Sequence, residues 1–184
     1  MENARRDAEK KDIERVLQDG MDALADALRG VDEQTARLRP QPERWSVLEC
    51  VEHLRLAERG LLARLKEAKP SERSYEDRAR ETRFRELAMN RLRRIEAPER
   101  AIPSSQWQTL AEAIEAFNAV RGETLQWVDA FDGDLHSWLT THPLITRPVN
   151  CYEMLLLMAM HPKRHAQQIV EIREHLAPLR SQIE

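Results

Sequence analysis

The apolar positions of this chain recur every three to four residues over long stretches, the spacing that lays one side of a helix against a core. Ile13, Leu17, Met21, Leu24, Leu28 and Val31 mark a first helix over roughly 6–36. Pro40 and Pro42 end it, since proline lacks the backbone donor that a helix requires. Ser46 with Glu49 three residues later has the form of a capping box, and Trp45 is placed to staple that turn. A second helix follows to about residue 68 on Val47, Val51, Leu54, Leu61 and Leu65, and "KPSERS" ends it. The charge-dense residues 75–96 predict a peripheral helix, and "APERAIPSS" a connector. A third long helix, about 106–132, rests on Leu110, Ile114, Phe117, Leu125 and Val128. "DGDLHSWLTTHPLITRP" reads as a loop, and the last helix covers about 149–176. Four amphipathic helices with one long connection, 69–105, predict an all-α four-helix bundle. The extra peripheral helix falls in the connection between helices two and three. A single domain over 1–184 is expected, with no sheet of more than trivial size. Pro162 lies inside the last helix and predicts a kink or bulge near 158–162.

Composition agrees with this picture. Charged residues make up 33% of the 184 and there are five glycines, which favours long helices over a turn-rich β protein. The net charge is −3 with both signs interspersed, so no basic stripe points to nucleic acid. The N-terminal "MENARRDAEKKDIER" has no apolar signal region, and the apolar run "MLLLMAM" at 154–160 is too short to span a bilayer. Neither a nucleic-acid nor a membrane partner is expected. Two cysteines, Cys50 and Cys151, do not make a disulfide framework, and a reducing cytoplasm is the simplest compartment.

The candidate chemistry lies in "MHPKRHAQQI", residues 160–169, where His161 and His165 stand four apart. At 100° per residue both fall inside the stripe formed by Met154, Leu157, Met158, Ile169, Ile172 and Leu176, and so does Gln168. Two inward imidazoles either hydrogen-bond to buried neighbours or clamp a metal ion. A third ligand decides between these. His53 lies at the edge of the second helix's stripe, where it is either a half-exposed surface residue or the rim of a pocket. With it, the three imidazoles would make a facial site with open positions, the pattern of catalytic metal centres. Glu49, one turn before His53, and Gln168, nearly one turn after His165, are candidates to support the ligands. Glu49 has the alternative task of closing the capping box. His142 is a candidate to line the pocket, while His136 and His175 read as surface residues. Cys50 reads as a buried small hydrophobe, and the four tryptophans as packing anchors.

The segments "PERWSVLECVEHLRLAERGLL", "APERAIPS…WQTLAEAIEAFNAVRGETLQWV", "THPLI" and "HPKRHAQQIVEI" resemble, in this order, the DinB/YfiT-like family of metalloenzymes over residues 40–176. The resemblance implies an up-down-down-up four-helix bundle. It also implies a divalent metal held by one histidine on helix two and a pair four apart on helix four, positions that match His53, His161 and His165. Relatives in that family include thiol S-transferases that use low-molecular-weight thiols, and a maleylpyruvate isomerase. The expected function is therefore metal-dependent transfer of such a thiol, a possible cosubstrate, to an electrophile on a small-molecule substrate. Hydrolysis through metal-bound water, or a non-enzymatic metal-binding and dimerising bundle, are the alternatives. Zinc, nickel and iron all suit imidazole ligands. A homodimer is expected.

One further pattern is independent of the histidines. Glu58 lies in the middle of the second helix's apolar stripe and Arg121 in the middle of the third's. Neither charge can be buried alone, so the two are predicted to meet in a guanidinium–carboxylate fork. Arg121 has a second possible role, bordering the metal pocket and holding an anionic group of substrate.

Overall fold

The computed structural model describes residues 2–91 and 95–180. Helix α1 spans Glu2–Leu28 and α2 spans Glu33–Arg37. The single helix expected over 6–36 is thus two. Gly30 turns the chain with φ 76°, a conformation glycine adopts without steric cost. Asp32 then caps α2, its side chain accepting the Thr35 N–H at 2.7 Å. Next come α3 (Val47–Lys66), strand β1 (Lys69–Pro70), α4 (Arg78–Met89), a 3-10 turn (Glu99–Ala101), α5 (Leu110–Ala130), β2 (Trp138–His142), β3 (Ile145–Asn150) and α6 (Cys151–Arg180). The peripheral helix expected over 75–96 is α4; residues 92–94 of that span lie outside the described residues.

Helix α3 begins where the sequence marks it. Ser46 Oγ accepts the Glu49 N–H at 3.2 Å, and Glu49 accepts the Ser46 N–H at 2.8 Å. Helix α5 opens on a second such box, Thr109 with Glu112, and its first N–H, that of Leu110, donates to both carboxylate oxygens of Glu33. The segment read as a loop is instead a hairpin. Strands β2 and β3 pair antiparallel and β1 adds to β2, giving an order β1-β2-β3. The β-branched Thr140, Ile145 and Val149 suit a pleated strand, and Pro148 is tolerated because β3 is an edge. Helix α6 continues as α-helix through Pro162, without the bulge expected there.

The four long helices bury two apolar clusters. One gathers Ile13, Leu17, Leu61, Leu65, Val128, Met154 and Met158; the other Leu24, Val51, Leu54, Phe117, Ile169 and Ile172. Between them runs a polar layer, where Glu58 interrupts the stripe of α3 and Arg121 that of α5. Glu58 and Arg121, each 3% exposed or less, meet there. Arg121 Nε and Nη2 donate to the two Glu58 oxygens at 2.5 and 2.6 Å, and Thr124 Oγ1 donates to the same carboxylate at 3.0 Å. Arg121 Nη1 donates to the Leu17 carbonyl at 2.8 Å, and Nη2 to the Met158 carbonyl at 3.1 Å. Met158 is the residue whose carbonyl Pro162 leaves without its helical donor. Arg121 supplies that missing donor, which explains how α6 carries a proline in its middle. In the same layer Gly20 lets α1 approach α6: a Cβ at this position would lie 2.5 Å from the Ala159 carbonyl oxygen.

Candidate metal centre

His53 projects from the first half of α3, and His161 and His165 from α6 one turn apart. His53 and His165 are each 5% exposed, while His161 is partly exposed. The Nε2 of His161 lies 3.1 Å from the Nε2 of His53 and 3.1 Å from that of His165. One nitrogen from each ring falls within 4.8 Å of the other two. Ligand nitrogens at ~2.1 Å from a shared ion are about 3.0 Å apart at right angles and about 3.4 Å apart at the tetrahedral angle. The observed spacing matches that geometry. Among the described residues this is the one group of histidine, cysteine and acidic side chains that converges in this way.

The tautomer of His53 follows from its partner. Its Nδ1 lies 2.6 Å from the Ala101 carbonyl oxygen, which can only accept, so Nδ1 carries the proton and Nε2 presents a lone pair. The segment that follows Ala101 is held in turn by Glu52. That carboxylate, 1% exposed, accepts from the backbone N–H groups of Ser104, Ser105 and Gln106 and from Ser104 Oγ. Ser105 takes a left-handed φ of 59° within this loop. The residue beside a ligand on α3 thus ties down the loop that orients the ligand. Trp45 covers the cluster, its ring 4.7 Å from that of His53 and stacked at 6.2 Å on that of His165.

Burial lowers the pKa of His53, offset in part by the Ala101 hydrogen bond. His161 and His165 are held well below the usual histidine range, first by burial and then by the neighbouring histidines of the cluster, with Arg164 adding to both and Arg91 to His165. The rings are neutral at pH 7, with lone pairs converging on one point. A proton could bridge only one of the two 3.1 Å contacts. An unfilled set of acceptors facing one another is what a cation satisfies.

The other sequence candidates take different places. Glu49 closes the capping box and forks to Arg39, with Arg39 Nε donating at 3.0 Å; none of these bonds reaches His53. Gln168 lies beside His165 and raises its pKa slightly, and its Oε1 lies 3.5 Å from Arg91 Nη1. His142 ends β2, where Nδ1 accepts the Leu144 N–H at 3.2 Å; burial and Arg64 push it down to about 4, and its charge is the last of those acting on His161. The nitrogens of Arg121 are engaged by Glu58 and two carbonyls. Cys50 is fully buried and burial pushes its thiol far up, out of nucleophile range. His136, read from sequence as a surface residue, is 2% exposed and stacks on Tyr152 at 4.6 Å. Glu52, Trp45 and Ala101 are the site residues that sequence reading missed; an acidic residue next to a candidate ligand was the available signal for Glu52.

This chain belongs to the DinB superfamily, whose family model matches residues 17–169. No curated protein matches it. Among solved structures it is similar to YfiT from Bacillus subtilis, described as a probable metal-dependent hydrolase with an unusual four-helix bundle topology. The TM-score is 0.57 and the identity 15%, covering 91% of this chain and 87% of that one. At that identity the likeness establishes the four-helix-bundle fold. Among the described residues no helix is long and apolar enough to cross a membrane.

Proposed function

We propose that this chain is a metal-dependent enzyme in which Nε2 of His53, His161 and His165 hold a divalent ion, zinc, nickel or iron, and that it transfers a low-molecular-weight thiol to an electrophile. The observation that carries this reading is the convergence of three imidazole lone pairs, one of them fixed by the Ala101 carbonyl. A bound ion would supply Lewis acidity and lower the pKa of a thiol or water beside it. The chain's own residues do the rest. Glu52 and Ala101 fix the direction of His53, and Trp45 excludes water from one side. His161, the partly exposed member, marks the side from which substrate enters. Among the described residues no carboxylate hydrogen-bonds to the three rings, so the thiol proton departs to solvent as the carbon–sulfur bond forms and the electrophile's leaving group departs.

We further propose the up-down-down-up order for the bundle. Its support is that contacts advance together along α1 and α6, from Asp12 with Tyr152 to Ala27 with Arg173. A second reading of the chemistry, hydrolysis by activated water, is favoured by the description of YfiT.

Elemental analysis of protein purified without a nickel column tests the site. About one equivalent of divalent metal is expected, with His165→Ala losing most of it at unchanged helical circular dichroism; wild-type metal content in that variant would show the ligand set to be misassigned. Turnover screens of the loaded protein with thiols plus electrophiles, and with esters and amides, separate the two chemistries. Metal binding without any turnover would leave a non-enzymatic metal-binding bundle.

A further inference from the structure

The end of α4 is fastened to α6 directly beside the histidines. Arg164, adjacent to His165, donates Nη1 to the Ala88 carbonyl at 3.3 Å and also to the Asn90 carbonyl. Arg91 forks onto Glu171, Nε at 2.8 Å and Nη2 at 2.6 Å, with Nη1 pointing at Gln168. One guanidinium, that of Arg91, thus holds both oxygens of the Glu171 carboxylate. Glu171 is half exposed, with a side-chain exposure of 50% against 18% for Arg91. An exposed ion pair of this kind holds weakly and can be exchanged for another anion.

From this arrangement we infer that the site takes an anionic substrate, a small molecule whose carboxylate displaces Glu171 from the Arg91 fork while its reacting group faces the three histidines. The inference rests on the metal reading above. Its chemistry is that of a planar bidentate carboxylate matched to a planar guanidinium, in a setting where three neutral ligands add no negative charge to balance a divalent ion. Glu171 acts as the occupant of the fork when substrate is absent, so the two carboxylates compete for one position.

The test uses full-length protein stripped of metal and loaded with cobalt(II), whose visible spectrum reports its ligands. Mercaptoacetate, 2-mercaptoethanol and cysteamine differ in one substituent, a carboxylate, a hydroxyl and an ammonium, and are compared at equal thiolate concentration. Mercaptoacetate is expected to bind about tenfold more tightly than 2-mercaptoethanol, the scale of one charge-assisted contact, and cysteamine more weakly than either. Arg91→Gln should abolish the mercaptoacetate advantage, whereas Glu171→Gln should increase it, and both should leave 2-mercaptoethanol unchanged. Opposite signs in two partners of one ion pair are not produced by loss of structure. Cobalt uptake with equal affinities, or with no thiol bound, overturns the inference and leaves the metal site standing. Failure to bind cobalt overturns both.

Discussion

At Arg121 each nitrogen of a buried guanidinium ends on a protein oxygen; three residues along α6 from the carbonyl it reaches, imidazole nitrogens end on one another. Both groups sit in the polar layer between the two apolar clusters, the first wholly buried and the second buried except for the partly exposed His161. The arginine node is complete as the chain folds, with a carboxylate, a threonine hydroxyl and two helix carbonyls as partners. The histidine cluster, on the reading proposed above, is completed by a divalent ion. The contrast separates a polar group kept for holding helices together from one kept for binding: the first leaves no acceptor over, and the second leaves three.

The strongest way to break this contrast is to delete one partner from each. Arg121→Met strands the Glu58 carboxylate and the Met158 carbonyl, and should cost roughly 3–5 kcal/mol by denaturant unfolding. His161→Ala in metal-free protein should change stability by under about 1 kcal/mol, because it removes an unsatisfied acceptor rather than a satisfied one. Equal costs would mean that the cluster too is a structural element.

Glu52 sharpens the comparison from the other side. Glu52→Gln should free the 101–106 loop and loosen His53, lowering metal affinity about 10- to 100-fold, measured by competition with a chelating dye. A variant with unchanged affinity would show that Ala101 does not orient the ligand.

Acid should act on the histidines through linkage. Their folded pKa values lie below the ordinary 6.5, so their contribution to stability is fully present above that pH. As pH falls below 6.5 the unfolded chain takes up protons that the folded cluster refuses, and metal-free protein loses about 1.4 kcal/mol per pH unit for each such proton until the folded rings titrate. Denaturant midpoints from pH 7.5 to 5 should therefore fall in wild type and fall less in a triple variant lacking the three rings.

The smallest effect concerns Pro162. Pro162→Ala restores a donor to Met158, so it should recover about 1 kcal/mol in the Arg121→Met background and much less in wild type. Additivity of the two changes would show that Arg121 does not substitute for the proline's missing N–H.

Much of this molecule is legible along the chain, and for physical reasons. The long helices announce themselves by period, the start of α3 by Ser46 and Glu49, and the Glu58–Arg121 contact by the cost of burying either charge alone. Gly30 and Asp32 carried the signal for the break after α1, but the apolar spacing runs through them to Val31 and masks it. The hairpin escapes because its alternation is short and divided by Pro143 and Pro148, and because β1, its third strand, lies seventy residues earlier in the pairing of Lys69 with Leu139. For the site, the three histidines follow from helix faces and the family resemblance. Trp45, Glu52 and Ala101 do not, since the 99–106 segment has no period and takes its shape from a carboxylate on another helix.

The arginine node also bears on how the chain reaches its fold. Its bonds join residues 104, 63 and 37 positions apart in sequence, so one side chain closes contacts among α1, α3, α5 and α6. No pair or trio of helices can bury Arg121 with all its partners present, and a partly assembled bundle would have to keep the guanidinium hydrated at its centre. Search through such long loops is slow, and half-built states gain little from it. The expected kinetics are those of a single barrier crossed with all four helices in place, with Arg121→Met slowing folding as well as speeding unfolding in a chevron measurement.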